Sequence, residues 1–178
     1  MSAENTLVIN AETMKKLQVK EIVLLLGGSV LLQFIIHLIP SYNNIPVGAI
    51  LLPMFYAPLI AAVFFKPHVA VLTGILTPLL NYALTGFPVP ANGAVLTVEL
   101  LVFALAASFL LRKNNSKNVG ALLAFLCAKA ASWMIFVSFP FAGVYPSGFF
   151  IQSFITAVPG IFLLSLLNIF LVHSKEKE

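Results

Sequence analysis

The sequence predicts an all-α integral membrane protein with six transmembrane helices and both termini in the cytoplasm. Three observations carry that prediction. First, the chain is 60% hydrophobic and only 9% charged, with a mean hydropathy of +1.02; a soluble domain carries about 25% charged residues. Second, its apolar residues fall into six runs near the length of about 20 residues that a helix needs to cross a bilayer core. Third, its cations sit on alternate connections between those runs.

The elements follow in order along a single membrane domain, residues 1–178. Residues 1–18 (MSAENTLVINAETMKKLQ) form a polar cytoplasmic segment. Acids precede its lysines, unlike the basic-then-apolar order of a signal peptide, so the segment is expected to be retained. The first span, 19–39, stops before Pro40, and the second, 47–65, is closed by Lys66-Pro67. The third, 68–85, follows at once, so the second and third form a tight antiparallel hairpin. The fourth, 93–111, ends at Arg112-Lys113; the fifth covers 119–141 and the sixth 148–173. No internal repeat is visible between the two halves, which argues against an inverted-repeat carrier.

Charge fixes the expected orientation. Lys15, Lys16, Lys20, Lys66, Arg112, Lys113, Lys117, Lys175 and Lys177 share the side of the N terminus. The opposite loops, 40–46, 86–92 and 142–147, contain no cation and are rich in Pro, Gly, Asn and Tyr. The positive-inside rule then places both termini in the cytoplasm. The pI near 9.3 is thus a topology signal, and no nucleic-acid partner is expected.

Most polar residues within the spans gather in the outer half. Gln33 and His37 end the first helix, and Asn81, Tyr82 and Thr85 end the third. Thr97 and Glu99 lie in the outer part of the fourth, with Gln152 and Thr156 in that of the sixth. Lys129 is near the middle of the fifth, with Ser132, Trp133 and Phe136 at helical spacing on its face. An ionisable residue in a membrane helix faces protein or water and is often functional. Glu99 and Lys129 therefore admit two roles: contacts to a polar ligand, or a buried ion pair locking the fourth helix to the fifth. Trp133 offers a stacking surface or simple packing. The candidate substrate-binding residues are His37, Asn81, Tyr82, Glu99, Lys129, Trp133 and Gln152.

Small residues mark close helix contact in membranes. Ala57 and Ala61 on the second span, and Gly27-Gly28 on the first, are candidate partner-docking positions as well as packing positions. The single Cys127 lies in an apolar run, and His37, His68 and His173 sit at separate helix ends, so no metal site is expected. Walker, HExxH, Gly-x-Ser-x-Gly and paired-carboxylate patterns are all absent from the sequence. No enzyme activity is expected, and no cofactor in this chain.

Thr77-Pro78-Leu79-Leu80, then Thr85-Gly86-Phe87-Pro88, then Glu99-Leu100 early in the next span form a distinctive series. With six spans and the tight second hairpin, the series resembles the substrate-binding S components of energy-coupling factor (ECF) transporters. The resemblance implies a multi-pass protein of the bacterial plasma membrane that captures a vitamin-like micronutrient at the outer face. Its implied partners are a transmembrane T component and two cytoplasmic ATPases, which would use the ATP. One departure stands out: family members often carry Ala-x-x-x-Ala on the first helix for docking, where this chain has Gly27-Gly28-Ser29. The rival expectations are a solitary secondary carrier of a small polar molecule and a non-catalytic membrane scaffold.

Overall fold

The computed structural model describes residues 3–177 except 44, 87, 89, 113 and 139–145, with side chains described from residue 19 onward save those of 90, 91, 114–116, 136 and 146–149. The described residues are helical and form no strand. Helix α1 (Ala3–His37) is followed by short α2 (Val47–Leu51), a 3-10 turn (Pro53–Phe55) and α3 (Tyr56–Phe64). Then come α4 (Pro67–Thr85), α5 (Pro90–Leu110), a 3-10 turn (Asn114–Val119), α6 (Gly120–Ser138) and α7 (Pro146–Lys175). Among the described residues, five segments are long and apolar enough to cross a membrane: Val19–His37, Pro67–Thr85, Asn92–Leu110, Lys117–Ile135 and Phe150–Lys175.

Helix α1 runs without interruption from the polar N-terminal segment through its apolar part, roughly 50 Å at 1.5 Å per residue. Leu26, Ser29, Gln33 and Ile36 form its buried stripe, while Val23, Leu24, Leu31 and Phe34 point outward. That pattern is one face of a helix packed on protein and the rest offered to lipid. The helix stops at His37, because Pro40 cannot donate to the ladder and disfavours the helical region at Ile39. The chain then reverses through a tight turn, in which Tyr42 and Ile45 exchange backbone hydrogen bonds of 3.0 and 2.9 Å around Asn43 at φ 49°. Asn tolerates that left-handed conformation better than most residues.

The second apolar segment corrects the expectation of one helix over 47–65. It breaks at Leu52, which takes a left-handed conformation at φ 54° and ψ 42°. Pro53 is the cause, since its ring excludes the carbonyl of residue 49 and pushes Leu52 out of the helical region. Two features stabilise the break. The Tyr56 hydroxyl donates to the Leu51 carbonyl that the interruption leaves without a helical partner. Gly160 of α7 lets the backbone of α2 come close: a Cβ there would sit 2.6 Å from the Ile50 oxygen. The uninterrupted apolar stretch of this segment, Pro53–Phe64, is too short to span alone.

The hairpin into α4 is as tight as the sequence suggests. Lys66 caps α4, and Pro67 takes the first helical position, where its missing N–H costs nothing. The helix ends at Gly86, whose left-handed φ of 74° lets its N–H return to the Tyr82 carbonyl at 2.8 Å. Gly74 brings α4 against α5, since a Cβ there would lie 2.8 Å from the Leu100 oxygen.

The core lies where α3, α4, α5 and α6 meet. Phe55 contacts Phe103 and Phe125 edge-to-face, with centroids 5.1 and 5.4 Å apart. Ala104, Ala107, Ala121, Ala124 and Ala128 are fully buried around them; such small residues let membrane helices approach closely. Ala57 and Ala61 belong to this interior, at 5% and 0% exposure. They therefore pack inward, whereas Gly27 and Gly28 are exposed with open space around them.

Candidate functional site

Three helices bring a charged cluster together inside the bundle. Glu99 on α5 and Lys129 on α6 lie on the stripes that pack these helices, beside Leu100 and Phe103 and beside Phe125 and Ala128. The Lys129 ammonium donates to Glu99 Oε1 at 2.9 Å and Oε2 at 3.2 Å. It also donates to the Ser153 hydroxyl of α7 at 2.9 Å, and sits 5.6 Å from the centre of the Phe125 ring. Both charged side chains are only 8% exposed. A lone charge at the centre of a membrane helix costs about 3 kcal/mol on insertion scales; pairing at this distance offsets much of that cost.

The two partners differ in hydrogen-bonding role. The Lys129 ammonium finds acceptors in the Glu99 carboxylate and in the Ser153 hydroxyl. A carboxylate offers about four acceptor positions, and Lys129 occupies two of those on Glu99. Glu99 therefore keeps acceptor capacity for a ligand N–H or O–H, and Lys129 orients it.

A second polar group lies on α1 and α4, which pack against each other. On α4, Thr73, Thr77 and Asn81 are fully buried. The Thr73 and Thr77 hydroxyls donate back to the Val69 and Thr73 carbonyls at 2.8 and 2.7 Å, so they are satisfied within the helix. On α1, Gln33 Nε2 and Ser29 Oγ are buried without a hydrogen-bond partner among the described residues. Gln33 and Asn81 each precede their helix ends by one turn, about 6 Å. Helix α4 packs on both α1 and α5, and so links the α1–α4 polar group to the helix that carries Glu99.

The remaining candidates are more peripheral. Tyr82 and Trp133 are 45% and 43% exposed, and Gln152 is exposed as well. The His37 ring Nδ1 lies 2.7 Å from the Gln33 carbonyl oxygen, where a protonated Nδ1 caps the end of α1. The side chain of Phe136, and most of the 142–147 loop, fall outside the described residues.

Ser153 was absent from the sequence-based candidates, although the signal for it was available. Ala157, Gly160, Leu164, Asn168 and Leu171 form the buried stripe of α7, and stepping back one turn from Ala157 gives Ser153. Gln152 lies about 100° away around the helix. The depth of Gln33 is readable from its position along α1, whereas the burial of its unpartnered Nε2 depends on packing. Asn168 lies at the opposite end, where its Nδ2 donates to the Lys117 and Asn118 carbonyls at 2.8 and 2.9 Å. It ties α7 to the loop before α6 and is not part of this site.

The length and apolarity of five helices define the class: an all-α, multi-pass membrane protein. No known family, curated protein or solved structure matches the chain.

Proposed function

We propose that this chain is the substrate-binding S component of an ECF-type importer, capturing a vitamin-like micronutrient at the outer side of the membrane. The observation that carries the reading is the Lys129-oriented Glu99 carboxylate, buried across three helices. It is supported by the likeness of Thr77–Leu80, Thr85–Pro88 and Glu99-Leu100 to the S-component pattern. In this reading the broken second segment completes a sixth crossing, and both termini are cytoplasmic, as the distribution of Lys and Arg favours. Glu99 accepts hydrogen bonds from a ligand N–H or hydroxyl, and Lys129 holds the carboxylate in place. Asn81 and Gln33 supply amide contacts from α4 and α1, and Trp133 and Tyr82 flank the outer opening. A T component and two ATPases then drive inward release.

The test combines mass spectrometry of small molecules that co-purify with the protein and uptake in cells with or without an ECF ATPase module. We expect a bound micronutrient, affinity for it lowered at least about tenfold by Glu99→Gln through loss of a charge-assisted hydrogen bond, and uptake only with the module. Robust uptake without the module would instead establish a solitary carrier.

A further inference from the structure

The opposite end of the bundle carries a cavity that the outer site does not use. Its volume is about 320 Å³, within the range of roughly 300–1,000 Å³ that is usual for ligand pockets. Apolar walls come from Ala62 and Val63 at the end of α3, Leu111 after α5, and Val172 of α7. The rim holds Arg112, Lys117 and Lys175 against one carboxylate, Glu176. We infer that this cavity binds the phosphate headgroup of an anionic phospholipid, with Arg112 as its principal contact.

The rim cations are not equivalent. Lys117 is paired with Glu176 at 3.1 Å. Lys175 donates to the Val63 carbonyl, closing the C-terminal end of α3. Arg112 is exposed and makes no ion pair among the described residues. A guanidinium left open at a pocket rim matches phosphate oxygens two at a time. Lys117 and Lys175 add positive potential while remaining anchored to the protein.

The walls decide which phosphate fits. A free anion in water gains nothing from apolar surface, whereas the glycerol and first methylenes of a phospholipid do. Ala62, Val63, Leu111 and Val172 are buried residues of the hydrophobic core, so the cavity joins a cationic rim to an apolar floor. Basic pockets between transmembrane helices recognise acidic headgroups by this combination. The cavity also lies at the end where Lys and Arg concentrate, the end that the positive-inside rule assigns to the cytoplasm. The proposal does not depend on the outer site or its ligand.

The test is native mass spectrometry of the intact protein released from detergent after titration with defined lipids. Phosphatidylglycerol should bind about tenfold more tightly than phosphatidylcholine, whose headgroup is neutral overall, and Arg112→Gln should remove most of that preference. Glu176→Gln should strengthen phosphatidylglycerol binding by freeing Lys117. Excess inorganic phosphate should fail to displace the lipid. Equal binding of the two lipids, an Arg112→Gln variant with wild-type preference, or displacement by inorganic phosphate would each overturn the proposal, the last by marking a free-anion site. Arg112 lies on the surface, so its variant is expected to remain folded, and a monodisperse elution profile checks this.

Discussion

Between α5, α6 and α7, Lys129 finds acceptors in the Glu99 carboxylate and the Ser153 hydroxyl; on the buried face of α1, Gln33 Nε2 and Ser29 Oγ find none among the described residues. Both polar groups are shielded within one apolar bundle, yet one is matched and the other is not. A satisfied buried network fixes the relative position of its helices. A buried donor without a partner costs about 1–3 kcal/mol and keeps its hydrogen-bonding capacity. The α5–α6–α7 cluster therefore contributes rigidity, and the face of α1 is where a polar molecule would relieve a cost already present.

The largest expected effect comes from breaking the matched side. Glu99→Gln leaves the Lys129 charge buried without its counter-ion and should destabilise the protein by about 3–5 kcal/mol. Adding Lys129→Met should recover at least half of the loss, because it removes the stranded charge. Thermal unfolding of the two variants in detergent measures the recovery; additive losses would mean that the pair does not act as a unit. A smaller effect, about 1–3 kcal/mol from overpacking, is expected for Gly160→Ala, whose methyl would meet the α2 backbone at Ile50 and Leu51. The same unfolding measurement reads it, and unchanged stability would show that α2 yields freely. The smallest effect has the opposite sign: Gln33→Leu removes the unmatched Nε2 donor and should stabilise the ligand-free protein by about 1 kcal/mol. A destabilised Gln33→Leu would show that the amide has a partner, and the contrast between the two polar groups would then fail.

Much of the architecture was legible because lipid imposes simple rules. Apolar runs and Lys66-Pro67 mark helices and a hairpin through hydropathy and backbone chemistry alone. Glu99 and Lys129 stood out because charges are rare in membrane helices. Their mutual bridge, however, needed the relative rotation and depth of α5 and α6, which no local pattern encodes. The break at Leu52 was signalled by Pro53 but hidden by uniform apolarity, since hydropathy does not distinguish a broken helix from a whole one. Ala57 and Ala61 show the same gap: small-residue spacing marks a close contact without saying whether the contact is internal.

The break at Leu52 has a mechanical consequence. A continuous helix acts as a rod, and tilting one end moves the other. An elbow transmits little torque, so the two arms of this segment follow different neighbours. One arm, α2, packs on α7 and α1, whereas the other, α3, packs chiefly on α4 and α5. The break thereby lets one segment pack against two sets of neighbours, with the aromatic cluster around Phe55 at the elbow.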